Sequence, residues 1–123
     1  MNFSVSVRQM DDVSLVDVAG RLTSFETKAF RHMIQALLSR NQTNIVLNLT
    51  RLDYLDSSGI GELVRNYMSV VKKGGAMKVV GLAPKVEEIL KITQLYHVFP
   101  EFPDEASALG SFSALQNQPN SAA

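Results

Sequence analysis

Ile45-Val46-Leu47-Asn48-Leu49, then Thr50 to Leu55, then Asp56-Ser57-Ser58-Gly59-Ile60-Gly61 is the stretch whose reading decides the fold. Its first five residues are apolar almost throughout, the pattern of a central strand covered on both faces. Beyond the serines the apolar spacing changes. Ile60, Leu63, Val64, Tyr67, Met68 and Val71 follow the i, i+3, i+4, i+7 template of an amphipathic helix, with Glu62, Arg65, Asn66, Ser69 and Lys72 assigned to its solvent face. Thr50 to Asp56 then reads as a strand-to-helix loop. The serine pair falls at the helix N-terminus, where backbone N–H groups are unpaired and negative charge is favoured.

Upstream, Phe3, Val5 and Val7 alternate with Ser4, Ser6 and Arg8, a half-buried strand, and Val13 to Ala19 is a second strand after the turn Gln9-Met10-Asp11-Asp12. The two predict an antiparallel hairpin. Gly20 ends the second strand, and Thr23 with Glu26 three residues on reads as a capping box. The helix it opens carries Phe25, Ala29, Phe30, Met33, Ile34, Leu37 and Leu38 as its apolar stripe. Downstream, Gly74-Gly75 closes the serine-led helix, Met77 to Leu82 is a fourth strand, and Pro84 starts a third helix ending near Ile92. An edge strand around Val98 to Phe102 and a last helix capped by Asp104, burying Leu109 and Phe112, complete the order.

Strand and helix alternate after the hairpin, so the expected class is α/β: one domain with a mixed, mostly parallel sheet of four or five strands and four helices. The domain is assigned to residues 1–115 and a polar, disordered tail to residues 116–123. The loop leading to the serines lies at the carboxyl edge of the parallel strands, where such folds place function.

Composition narrows the chemistry. The 123 residues are 46% hydrophobic and contain no cysteine, which removes disulfides, thiolate nucleophiles and cysteine metal sites. No basic leader and no apolar run of about 18 residues is present, so a soluble cytoplasmic protein without membrane partners is expected. Twelve basic and twelve acidic residues cancel, and neither sign forms a long block, so no footprint for nucleic acid stands out. Lys72-Lys73, the densest basic pair, sits where a helix C-terminus favours cations.

Catalytic readings fare poorly. A serine hydrolase needs a Gly-x-Ser-x-Gly elbow and a histidine base, but Leu55 and Asp56 stand upstream of the serines, and neither His32 nor His97 is tied to them by sequence. Gly59-Ile60-Gly61 lacks the third glycine of a dinucleotide fingerprint, since Val64 stands there, and no Walker lysine follows a glycine-rich loop. Asp53 and Asp56 alone do not make a cation site, so no metal, cofactor or enzymatic activity is assigned. A simple helix cap would account for Asp56 or one serine, leaving the second hydroxyl and both glycines without a reason. Switch and cap remain evenly matched on the residues alone.

From Phe3 to about Phe112 the chain resembles the STAS domain family, and within it the small anti-sigma factor antagonists. The resemblance is carried by Asn48-Leu49-Thr50-Arg51-Leu52-Asp53-Tyr54-Leu55-Asp56-Ser57-Ser58-Gly59-Ile60-Gly61, supported by Gly20-Arg21-Leu22-Thr23 and Gly74-Gly75. It implies that Ser57 is the phosphoacceptor, with Arg21, Thr23, Asp56, Ser58, Gly59, Gly61 and Glu62 on the partner-binding surface. It further implies an anti-sigma factor serine kinase as partner, bound by the unmodified antagonist so that a sigma factor is released, and a PP2C-type phosphatase that reverses the modification. ATP belongs to the kinase, and a monomer or weak homodimer is implied. The alternative within the family is an interaction subunit of a larger stressosome-like or transport-associated complex. Thr23 and Asn48 replace aspartates common in the family near the expected partner face, and Glu62 replaces a small or apolar residue, a change expected to tune partner choice.

Overall fold

A computed structural model describes residues 2–92 and 99–117, with side chains described as far as residue 112. Its elements are β1 (Ser4–Met10), β2 (Val13–Leu22), α1 (Thr27–Ser39), β3 (Asn44–Leu55), α2 (Ser57–Lys72), β4 (Ala76–Val80), α3 (Pro84–Ile92), β5 (Glu101–Phe102) and α4 (Glu105–Asn117). The sheet order is β1-β2-β3-β4-β5, antiparallel only in the first pair. This is the mixed α/β architecture expected from the alternating pattern, with the fifth strand confined to two residues. Val98 and His97 lie outside the described residues. So does most of the expected tail, while its first two positions belong to α4.

Strand alternation divides the core between two layers. Val16, Val18, Ile45, Leu47, Leu49, Met77 and Val79 face the buried stripes of α1, α2 and α3, whereas Val13, Leu15, Val46 and Val80 face Ala108 and Phe112 of α4. β3 therefore needs apolar residues on both sides, which is why its first half reads as an unbroken hydrophobic run.

Its second half is not the loop expected. β3 continues to Leu55, paired in parallel with β2 as far as Leu22↔Leu55, because two register shifts place extra residues in β3 between Asn48 and Arg51 and between Leu52 and Tyr54. With those bulges Leu49, Leu52 and Leu55 all reach the buried layer at a spacing of three, a period that belongs to neither a regular strand nor a helix. β2 likewise runs through Gly20 rather than stopping at it. Gly20 adopts φ +90°, and a Cβ there would overlap the carbonyl of Asn2. At the other end of the sheet β4 stops at Val80, short of Leu82.

Two helix readings are corrected. Thr23 and Glu26 do interact, but as a turn that precedes the helix: the Glu26 carboxylate accepts from the Thr23 N–H at 2.8 Å and its hydroxyl at 2.6 Å, and α1 begins only at Thr27. Phe25, on that turn, is 90% exposed instead of joining the core stripe, and Ala29 is exposed as well. On α2 the buried face is rotated toward α1. Gly59, Ile60, Glu62, Leu63, Asn66 and Val70 are buried, while Met68 and Val71 are exposed.

Glu62 and Asn66 were expected in solvent, and the reason they are not is electrostatic. The Glu62 carboxylate, 1% exposed, accepts from Arg31 of α1 at 3.0 and 2.8 Å, from Arg65 at 2.7 Å and from Asn66 at 2.6 Å. A buried charge is tolerated when it is paired and its remaining lone pairs are filled, as here. Arg31, then the Asn66 amide and Arg65, hold the Glu62 carboxyl below its ordinary range against the opposing effect of burial.

A depressed folded value stabilises the protein above the unfolded carboxylate pKa, and that contribution disappears as pH falls through the folded value. We expect Glu62→Gln to lower stability by about 1–3 kcal/mol near neutral pH, with the gap to wild type closing in acid below about pH 4. Urea denaturation at both pH values measures this, and a gap that persists unchanged in acid would exclude the ion-pair explanation.

Candidate functional site

The serine run sits where β3 hands over to α2, and the hand-over is made by β2. Asp56, the N-cap, has extended backbone (φ −102°, ψ −175°), and its carboxylate accepts the Gly59 N–H at 2.9 Å while its carbonyl accepts from Ile60 at 2.9 Å. Its own N–H donates to the Leu22 carbonyl at 3.4 Å. That same carbonyl lies against Gly59, where a Cβ would overlap the Leu22 oxygen and crowd the Leu55 side chain. Asp56 and Gly59 thus have structural duties: one caps α2, the other lets it close on the end of β2. Ser57 and Ser58, in the first turn, are both exposed.

Around them the β2–α1 connection supplies a mixed surface. Arg21 lies over the exposed Tyr54 ring at 4.2 Å. Thr23 and Glu26 form the turn described above, and Phe25 projects from it. The Glu26 carboxyl is held below its ordinary range chiefly by the Thr23 hydroxyl and backbone N–H, with Arg21 favouring its charge and Asp56 opposing it. Two carboxylates therefore already share the neighbourhood in which Ser57 lies.

Of the residues singled out from sequence, Arg21, Thr23, Asp56, Ser57, Ser58 and Gly59 converge here. Glu62 does not present its carboxylate to solvent. The carboxylate instead holds Arg31 and Arg65, whose side chains reach the surface. Asn48 is also displaced from this surface: its amide donates to Glu105 of α4 at 2.7 Å and its oxygen accepts from Thr50 N–H at 3.0 Å, on the sheet face opposite α2. Phe25 and Tyr54 are exposed aromatic side chains that the sequence pattern does not mark as surface residues. The apolar side chain of Phe25 fitted a helical stripe, and only the turn before α1 turns it outward. Among the described residues no cluster of three or more metal-ligating side chains occurs and no helix is long and apolar enough to cross a membrane.

The sheet order, the capped α2 and the serine pair on its first turn are those of a STAS domain, and the chain belongs to that family, whose model matches residues 4–108. It is 30% identical over 110 residues to the anti-sigma F factor antagonist of Paenibacillus polymyxa, covering 89% of this chain and 94% of that protein. Among solved structures it is similar to an anti-sigma factor antagonist from Mycobacterium paratuberculosis, with a TM-score of 0.79 and 26% identity over 89% of this chain and 93% of that one. It also shares its fold with the Bacillus cell fate determinant SpoIIAA in its phosphorylated form, with a TM-score of 0.69 and 18% identity over 90% and 99% of the two chains.

The two glycines of the motif separate by experiment. Gly59→Ala is expected to cost about 1–3 kcal/mol because the added methyl meets backbone. Apart from its chain neighbours and its own helix backbone, nothing lies within 4 Å of a Cβ at Gly61, so Gly61→Ala should stabilise by about 0.5–1 kcal/mol through helix propensity. Thermal or urea unfolding of both variants tests the pair, and equal destabilisation would contradict the packing described.

Proposed function

We propose that this chain is an anti-sigma factor antagonist whose affinity for an anti-sigma factor serine kinase is set by phosphorylation of Ser57. The observation that carries the proposal is the exposed Ser57 on the first turn of a capped helix, directly after Asp56, with the exposed Phe25 on the adjoining Thr23–Glu26 turn. The unmodified protein docks through this surface, displacing a sigma factor from the kinase, and a PP2C-type phosphatase restores the docking state after modification. The role is regulatory binding, not catalysis, and a sigma-factor circuit places it in the cytoplasm.

The physics suits a switch that leaves the fold intact. A phosphate on Ser57 adds about 1.5 to 2 negative charges where Asp56 and Glu26 already stand, on a surface that must lose water to bind. Repulsion and desolvation oppose docking. The unpaired N–H groups of the α2 first turn stabilise the same phosphate within the domain, so the cost falls on the complex. A coupling of about 3 kcal/mol weakens association more than a hundredfold. Phe25 contributes in the other direction, as an aromatic group whose burial is deferred until a partner covers it.

Incubation with the kinase and ATP should place phosphate on Ser57, read by mass spectrometry. Ser57→Asp should weaken the complex by about a hundredfold, and Ser57→Ala should bind but no longer be released. Phosphate elsewhere, or undiminished binding by Ser57→Asp, would overturn the assignment. Phe25→Ala should change stability by less than about 0.5 kcal/mol while weakening kinase binding about tenfold or more, measured by calorimetry beside urea unfolding.

A further inference from the structure

The cancelling charges of the chain are not evenly spread once it folds. α1 and α2 with their caps hold Lys28, Arg31, Arg40, Arg65, Lys72 and Lys73 against Glu26, Asp56 and Glu62, leaving +3 on two adjacent helices of a chain with no net charge, and the two N-cap carboxylates stand at the opposite helix ends from Arg40, Lys72 and Lys73. The sequence hides this because 16 residues of strand and connection separate the two helices, and the α1–α2 contact with its Arg31–Glu62 pair brings them together. Within this basic layer the apolar seam of α2 is left without a cover: Met68 is 64% and Val71 49% exposed, continuing from half-buried Val64. Two grooves border the seam, one of about 520 Å³ between Leu38 of α1 and Lys72–Lys73, the other of about 690 Å³ over Met68 and Val71.

We propose that this face docks an amphipathic helix of a second protein, one carrying acidic residues along its apolar stripe. Val64, Met68 and Val71 follow the i, i+4, i+7 spacing of a helix seam, which matches another helix. Arg65 and Lys72 lie along the α1 side of the seam, with Lys73 beyond them, and select a negative flank there. A second copy of this chain is disfavoured, because a twofold arrangement about the seam sets Lys72 of each copy against Arg65 or Lys72 of the other, like charge against like. Nucleic acid would be held by the cations alone and gives Met68 and Val71 no role, whereas lipid surfaces call for a larger apolar face than these side chains supply. The seam lies about 16 Å along α2 from Ser57, so this contact is independent of the phosphorylation state and rests on the fold, not on the switch proposed above.

The probe is a synthetic helical peptide with a leucine seam flanked by glutamates, compared with a twin flanked by lysines, titrated into the isotope-labelled full chain and followed by amide chemical shifts. The glutamate peptide should shift residues 64–73 and 35–40, bind more weakly as salt rises, and lose about tenfold or more in affinity with Met68→Ser/Val71→Ser. Lys72→Glu/Lys73→Glu should transfer the preference to the lysine peptide, with spectral dispersion confirming that these surface variants fold. Ser57→Asp should bind the glutamate peptide as the wild type does, which separates failure here from failure of the switch. Absence of binding, equal binding of both peptides, shifts centred on Ser57, or shifts of this face by phosphatidylglycerol vesicles or duplex DNA but not by peptide would each overturn the proposal.

Discussion

The Leu22 carbonyl oxygen stands between the Asp56 N–H and the bare Cα of Gly59, and the geometry of the serine run depends on that contact. It exists because β2 and β3 remain paired to their last residues, Leu22 and Leu55, despite two bulges in β3. A parallel pair that ended at Asn48 would leave the start of α2 on a free loop. With the pairing extended, the turn at Thr23–Glu26 and the first turn of α2 are anchored to the same strand end, and Ser57 is presented on rigid structure. The phosphate proposed for Ser57 would change the charge of that surface without requiring the surface to be rebuilt.

Glu62 performs the corresponding task between the helices. Burying a carboxylate between α1 and α2 is favourable only because Arg31, Arg65 and Asn66 fill its lone pairs, and the arrangement rotates α2 so that Asn66 and Val70 turn inward while Met68 and Val71 turn out. The same interaction that fixes the helix pair thus draws Arg31 and Arg65 together and leaves an exposed apolar seam next to Arg65. On the opposite side of the sheet α4 is tied by polar contacts of a different kind. Glu105 bonds Arg8 and Asn48, and Lys78 lies over the Phe112 ring at 3.9 Å, its ammonium pKa lowered by burial.

Much of this was legible in the chain itself. The hairpin, the double-sided apolar run of Ile45 to Leu49, the helical stripe beginning at Ile60 and the proline at the start of α3 specify an α/β domain and place two serines at a helix N-terminus. Where the reading failed, a local period had been overridden. Leu52 and Leu55 look like a loop because bulges change which residues face inward. Phe25 looks like core because its spacing extends the stripe of α1 one turn too far, and Glu62 looks solvated because isolated carboxylates are.

What the sequence determined alone was the element order, the strand and helix layers, and the identity of Asp56-Ser57-Ser58-Gly59 as a capped start of a helix, since periodicity and capping are local and each residue reports its own preference. Only the tertiary structure decided that Phe25 is exposed on the turn before α1, that Arg21 lies over Tyr54, and that Glu62 is buried against an arginine 31 residues away and meets Arg65 there as well. Those are pairings between distant segments. They depend on how the strand ends and helices meet, a property of the packed chain that no single window of residues contains.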